Sequence, residues 1–474
     1  MPAIVQPDPS RPAAEAAPGP LVPPTVTPPA LPLGPLRFIL RFARNPLLTL
    51  PAAVYREPVL RLEALGRITA WICDPAIIET ILLREADRFP KAPLEKRAFG
   101  SALGNGILTA QGDDWRWQRR MAAPAFRAAD LAAHVPEMAA AAHAQLDRWR
   151  TVPTGAACEI ERDMSLATFD VLMRTIFAGA TETEKDAVLA AGRAFLDKIT
   201  WEIGFGIMHV PDWVWHPGKR QMRDAARAMR SAVAGLLVRR RAEGGARDDL
   251  LARLLAARHP DSGAPLSDDE IVDNLATFLI AGHETTAKAL TWTLYLLALA
   301  PQWQQRVRDE VATVVGDGPI EARHIEALVV TRQVVLEAMR LYPPVPVISR
   351  MAAEAVDLGG VQLPRGGLAI FPIYAIHRHA MLWAEPDRFD PERFAPGREE
   401  ARHRAQFMPF GFGPRICIGQ AFAMLEAMTL LAAFVRGARF AWAGRHVPTP
   451  VSRVTLRPDG GMPLSVTPIA AAGG

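Results

Sequence analysis

The stretch Phe410-Gly411-Phe412-Gly413-Pro414-Arg415-Ile416-Cys417-Ile418-Gly419 constrains this chain more than any other. It closes a glycine-rich loop on a cysteine and runs straight into an apolar helical segment, Ala421 to Val435. Gly411 and Gly413 permit backbone turns that a Cβ resists, and Gly419 lets the backbone approach the sulfur. The N–H groups and dipole at a helix start favour negative charge, so a thiol placed there is biased toward thiolate, the form that binds metal. Arg415 adds a fixed cation suited to a carboxylate. A lone cysteine would more often be a buried thiol packing as a small hydrophobe.

Cys417 is not alone. The pattern Phe410-x-x-Gly413-x-Arg415-x-Cys417-x-Gly419 resembles the haem-binding loop of the cytochrome P450 family, the haem-thiolate monooxygenases. The resemblance implies one haem b with Cys417 as the axial thiolate, a ligand that favours O–O cleavage. It also makes Phe410, Arg415 and Gly419 cofactor-binding positions, with Arg415 on a haem propionate.

Two further stretches extend the resemblance. Ser267-Asp268-Asp269-Glu270 is a capping-box-like helix start, followed by apolar periodicity from Ile271 to Leu299. Within that helix lies Ala281-Gly282-His283-Glu284-Thr285-Thr286. Glycine and paired threonines are poor helix formers, and a threonine bonding back to a carbonyl predicts a local distortion. An acid beside an alcohol in an apolar helix invites a proton-delivery reading, although a helical threonine usually just packs. The segment matches the family's oxygen-binding motif. Thr285 is thereby expected as partner of bound oxygen, Glu284 as a proton relay to solvent, and Ala281 as a cofactor contact; His283 is not expected to ligate. Trp115 and Arg119 share a face of a helix predicted over Gln111 to Arg127 and match the family's Trp-x-x-x-Arg propionate pair. Arg350 matches another propionate-holding position. Arg116, Arg120 and Arg127 read either as a solvated face or as a docking patch for an acidic electron donor.

Glu337-x-x-Arg340, just before Leu341-Tyr342-Pro343-Pro344, means little alone, but it precedes Pro391-Glu392-Arg393-Phe394 at a family-like distance. The resemblance implies a buried Glu337–Arg340–Arg393 network that is structural. His377-Arg378 occupies another recurrent family position, with no independent physical reason apparent.

Elsewhere, residues 1–35 are rich in proline and alanine and predict a disordered tail. Leu36 to Leu50 predicts a short helix docked on the body, with contact to a membrane surface as the lesser reading. Val59 to Cys73 reads as a hairpin turning at Gly66, and a helical pattern follows Asp74. Lys91 to Thr109, with Gly100, Gly104 and Gly106, reads as a loop, which the family folds over its substrate pocket. Ala132 to Arg258 is helical. Its section Phe195 to Trp215, holding Trp201, Phe205, Met208, Trp213 and Trp215, is either a pocket roof or ordinary packing. Short strands are expected at Val345 to Ser349, Val361 to Leu363 and Leu368 to Pro372. Val454 to Val466 is expected as one hairpin whose Gly460-Gly461 tip reaches the pocket.

The expected fold is therefore mainly α with small β-sheets. It is a triangular helical body with haem between the long central helix and the helix after Cys417, formed by residues 36–474 as one domain. A chain of 474 residues would otherwise suggest two or three domains. Three cysteines do not make a disulfide framework and fit a reducing cytoplasm. A net charge of +4 is too weak to argue nucleic-acid binding. No run of about 18 apolar residues occurs to span a membrane. The expected activity is insertion of one oxygen atom from O2 into an apolar small molecule, by hydroxylation or epoxidation. The segment after Cys417 is too short for a reductase, so electrons are expected from a ferredoxin or flavodoxin with its NAD(P)H-dependent reductase. A monomer is expected. A peroxygenase or isomerase on the same scaffold, or a non-catalytic haem-binding sensor, are the alternatives.

Overall fold

The computed structural model describes residues 20–469, apart from 65–66, 154, 178–180, 208–209, 244–248 and 261. Helices dominate, and the strands among the described residues are short: β1 (Val59–Ala64), β2 (Arg67–Ile72), β3 (Ala157–Glu159), β4 (Ile348–Met351), β5 (Val356–Asp357), β6 (Gln362–Leu363), β7 (Leu368–Phe371), β8 (Ala438–Trp442), β9 (Pro450–Ser452), β10 (Leu456–Pro458) and β11 (Pro463–Pro468). The largest sheet has the order β1-β2-β7-β4, with β2 and β7 parallel and the other pairs antiparallel.

The central helix, Asp268–Leu299, is started by the capping box: the Ser267 hydroxyl accepts from the Glu270 N–H, and Glu270 accepts from the Ser267 N–H. Apolar residues on every face bury it on every side, and its buried charged groups Asp273, Glu284 and Lys288 are each ion-paired. Between Ile271 and Ala298 only Ala281, Gly282 and Thr285 escape burial. The cysteine helix, Gln420–Gly437, begins just after the loop and packs its far end on Trp149 through Phe434, with ring centroids 5.0 Å apart.

The Glu337–Arg340 pair sits on the helix Val329–Leu341. Two hydrogen bonds of 2.7 and 2.8 Å join the side chains, both fully buried. Arg340 uses its remaining donors on the carbonyls of His377, Pro386 and Arg388, at 2.8, 2.7 and 2.9 Å. Glu337 also accepts from the Asp390 N–H at 2.8 Å, and Arg393 lies 3.6 Å from it.

Several local expectations need correction. Lys91 to Thr109 is not a loop throughout: Pro93–Leu103 is a helix, with Pro93 at its first position and Ala98, Ala102 and Leu103 buried along one face. Gly104 ends it at φ +50°, where a Cβ would collide with the Asp273 carboxylate. Residues 20–30, expected within a disordered tail, lie extended on the body. Val26 is buried, the Tyr342 hydroxyl donates to the Pro24 carbonyl at 2.7 Å, and the Phe389 N–H to the Leu21 carbonyl at 2.9 Å; residues 1–19 lie outside the described residues, as do the Gly66 turn and Met208. β4 begins at Ile348 rather than Val345, because Pro343, Pro344 and Pro346 offer no N–H to a ladder. β10 and β11 do not pair with each other. β10 turns back on β9, while β11 lies between β3 and β8, so the Gly460-Gly461 turn sits beside Glu159 and His446. Trp213 and Trp215 are 84% and 72% exposed and so form neither roof nor core, whereas Phe195 is buried. The docked helix near the N-terminus is present as Pro35–Arg44, anchored by Phe42.

Replacing Glu337 by alanine strands the fully buried Arg340 charge and is expected to cost about 3–5 kcal/mol. The same change at Glu392, whose pair with Arg306 is half exposed, is expected to cost about 1 kcal/mol or less. Urea unfolding of the two variants checks the contrast; equal losses would mean that the buried pair is not the stronger joint.

Candidate active site around Cys417

The cysteine loop is held by main-chain bonds. The Cys417 N–H donates to the Phe410 carbonyl at 2.9 Å, Ile416 N–H to Gly413 at 3.0 Å, and Gly411 N–H to Met408 at 3.0 Å. Gly411 and Gly413 take φ +78° and +74°, which glycine adopts without strain. A Cβ on Gly413 would also overlap the Leu82 carbonyl, which a π turn at Thr80–Arg84 brings against the loop. Gly419 is different: its φ is −90°, and a Cβ there would meet the Cys417 Sγ at an ordinary 4.0 Å. The Gly419 N–H does approach the sulfur, but a side chain at this position would not clash with it.

Cys417 has accessible surface, yet protein surrounds it on almost every side. Burial pushes its thiol up, against the opposing pull of the Gly419 N–H and the Arg119 cation. The helix start alone does not make it a thiolate, as the sequence suggested; a metal ion at the sulfur would supply the missing charge.

Around it stands a group of cations. Arg415 stacks on the Trp115 ring at 3.9 Å and donates to the Ala110 carbonyl at 2.9 Å. Arg119 lies 6.0 Å from the same ring. Burial, with Arg350 and Arg119 adding to it, brings Arg415 down to about 10, and burial lowers Arg350 and Arg119 as well. Among the described residues none of the three arginines has an acid within ion-pair distance; the acid that acts on Arg350 and Arg415 is Glu95, already bound to Lys91 at 2.6 Å. Such a cluster suits an anionic, planar ligand. Lys91, a member of this cluster, gave no signal in the sequence.

Phe126 connects the loop to the central helix. Its ring lies 3.8 Å from the position of a Cβ on Gly419 and stacks on Phe278 at 5.5 Å. One turn onward are the accessible Ala281 and Thr285. The Thr285 hydroxyl donates to the Ala281 carbonyl at 3.0 Å, but the helix continues as α without the expected distortion. Gly282 answers a packing need, since a Cβ would lie 2.9 Å from Leu172 Cδ1. His283 is buried, donates to the Leu279 carbonyl at 2.6 Å and meets Phe169 edge-on.

Glu284 is 2% exposed and faces away from that opening. It accepts from Thr455 at 3.1 Å and Arg457 at 3.0 Å, with Lys288 at 3.4 Å. Burial alone would raise its carboxyl, but Lys288 and Arg457 outweigh it and hold the group at about 2. It is an anion at neutral pH, held in an ion-paired chain. Arg457 continues to half-exposed Asp197 at 2.7 Å, so a charged chain runs from the central helix to the surface. The turn before β10, rather than the Gly460-Gly461 tip, is thus the part of the tail that reaches the central helix.

His377 also acquires a reason. Its Nε2 accepts from the Met408 N–H at 3.0 Å, and burial, then Arg340 and Arg378, holds it neutral at about 3. Arg116 is tied at the surface to Asp113 and Asp87, both at 2.8 Å, while Arg120 and Arg127 are exposed.

Comparison with known proteins agrees with this arrangement. A family model described as cytochrome P450 matches residues 31–463. Cyclooctat-9-en-7-ol 5-monooxygenase of Streptomyces melanosporofaciens is 31% identical over 416 residues, 85% of this chain and 88% of that protein. A cytokinin hydroxylase of Arabidopsis thaliana is 33% identical over 407 residues, 84% of this chain and 78% of that protein. The crystal structure of the cytochrome P450DA heme domain superposes with a TM-score of 0.80 at 25% identity, covering 95% of this chain and 99% of that one. By its loop, its central helix and these likenesses, the chain belongs to the cytochrome P450 family.

Proposed function

We propose that this P450 monooxygenase inserts one oxygen atom from O2 into an apolar small molecule at a haem b held by Cys417, with electrons from a separate donor. The observation that carries the reading is the set of arginines Arg119, Arg350 and Arg415 beside Cys417: Arg350 is buried, Arg119 and Arg415 are half-buried against Trp115, and among the described residues none has an acid within ion-pair distance. A planar group bearing two carboxylates and an iron fits that donor set, with the arginines on the carboxylates and Phe410 and Gly419 framing the loop. When bound, haem supplies O2 activation and one-electron oxidation chemistry.

The chain's own residues do the rest. Thr285, with its proton engaged by the Ala281 carbonyl, turns hydroxyl lone pairs toward the opening and can hold a water or an oxygen species by hydrogen bond. Glu284 is the anionic end of the chain Glu284–Arg457–Asp197 and links the Thr285 turn to solvent. The half-buried Val345, Val347 and Ile348, with accessible Ala281, favour an apolar substrate. The names of the relatives, a monooxygenase and a hydroxylase of small molecules, support the same reaction class. Exposed Arg120 and Arg127 offer a docking face to an acidic ferredoxin or flavodoxin, reduced in turn by an NAD(P)H-dependent reductase.

The dithionite-reduced, carbon monoxide-bound protein is expected to give the red-shifted Soret band of thiolate-ligated haem, and Cys417→Ala to lose it. A histidine-type band in the parent protein would sink the assignment. With a turned-over substrate and a generic redox pair, Thr285→Ala is expected to keep haem and substrate binding while diverting reducing equivalents to peroxide. Unchanged coupling removes Thr285 from the proton path.

Glu284 makes a pH-dependent prediction. A carboxyl lowered from 4.5 to about 2 contributes stability that is fully present above its unfolded value and is lost as pH falls through the folded one. Glu284→Gln should therefore cost about 3 kcal/mol near neutrality, a loss that shrinks below about pH 4.5. Denaturant titrations at several pH values measure it, and a pH-independent difference would contradict the assignment.

A further inference from the structure

One buried carboxyl has no part in the chemistry above. Glu426 lies on the cysteine helix, 1% exposed, and neither of its oxygens has a hydrogen-bond partner among the described residues. The Thr286 hydroxyl on the central helix is 3% exposed and equally unpartnered. The two groups are near neighbours just short of full hydrogen-bond geometry. Thr286 is the polar group that acts on the Glu426 carboxyl, and no charged side chain from either helix does.

An ionised carboxylate in that position would have no counter-charge and at most the single Thr286 hydroxyl to replace water; burial outweighs that one donor, so the group keeps its proton. A neutral carboxyl has one O–H to donate and needs an acceptor. Buried polar groups in native proteins are paired almost without exception, and the partner within reach is Oγ1 of Thr286. The bland alternative is that Glu426 merely fills space, as methionine would. Two facing orphan groups, one of them next in sequence to Thr285, weigh against it.

We propose that Glu426 is a neutral carboxylic acid whose O–H is donated to Oγ1 of Thr286, directly or through one internal water, and that this clasp positions the Thr285–Thr286 turn over the cysteine helix. It deepens the oxygenase reading, on which its functional meaning rests. Glu426 touches no reacting atom; it is a positioning residue acting through Thr286. The contrast with Glu284 follows from surroundings alone: one carboxyl meets two cations and is an anion, the other meets one hydroxyl and stays neutral.

Infrared spectra of the haem-loaded protein in H2O and D2O test the protonation state. A deuterium-sensitive carbonyl stretch of a protonated carboxyl is expected, and it should vanish in Glu426→Gln. Loss of carboxylate bands instead, or no change, overturns the proposal. Glu426→Leu and Thr286→Val should each lower Tm, while the double variant loses less than the sum, because no polar group is then stranded; additive losses overturn the clasp. The C–O stretch of the reduced carbon monoxide complex reads positioning: it should shift in Glu426→Leu and return in Glu426→Gln, whose amide still donates. An identical stretch in Glu426→Leu rules out positioning. Should Glu426→Leu fail to fold, Glu426→Gln and the infrared band still decide. None of these readouts needs turnover, so failure of the oxygenase reading is distinguishable from failure of the clasp.

Discussion

The Glu337–Arg340 pair is the joint on which the site depends. Arg340 holds the His377 carbonyl, the His377 ring accepts from the Met408 N–H, and the Met408 and Phe410 carbonyls accept from Gly411 and Cys417. A fully buried ion pair thus passes, through a neutral histidine and two main-chain bonds, into the backbone of the cysteine. Such a pair is weak evidence for net stability, since a well-packed apolar substitute could do as well. Its value is geometric: five fixed donors tie carbonyls far apart in sequence to one point.

The central helix shows how an apolar element is made reactive at one place. Between its ends almost its whole length is shut away from solvent, and accessibility from Ile271 to Ala298 is confined to Ala281, Gly282 and Thr285. Small residues there keep the opening clear, and Gly282 is forced by Leu172 on the opposite side. Glu284, pointing into the tail turn at Thr455 and Arg457, fixes the helix's rotation about its axis. That rotation decides that Thr285, and not its neighbour, faces the opening.

What was legible in the sequence was local. The glycine spacing before Cys417, the capping box at Ser267, the Trp115–Arg119 face and the Glu337–Arg340 spacing are all set by residues within one or two turns of each other, and each stands as the pattern implies. What was not legible depends on partners on other elements, which no local pattern points to. Lys91 joins the arginine group only because the Leu108 carbonyl and Glu95 hold it there. The role of His377 rests on Met408, whose N–H reaches its ring from another loop, and the ion partner of Glu284 is Arg457 of the tail. The glycines of residues 91–109 misled for the same cause: Gly104 answers to Asp273 on the central helix, not to a flexible loop.

The arginine group carries a thermodynamic consequence. Three guanidinium groups drawn together in partly buried positions repel one another, and the depression of Arg415 to about 10 is the signature of that repulsion added to burial. The protein therefore holds unfavourable charge that two carboxylates would relieve, and that relief is available only in the folded state, where the three are assembled. Any ligand that binds the native form alone stabilises it in proportion to the logarithm of its saturation. On the proposed haem site, cofactor binding and folding would be coupled through these charges, and Cys417 would share in the coupling, since burial disfavours its thiolate and a metal ion would favour it. The cluster that looks like a cost in the isolated chain would, at the proposed haem site, be a source of affinity in the loaded one.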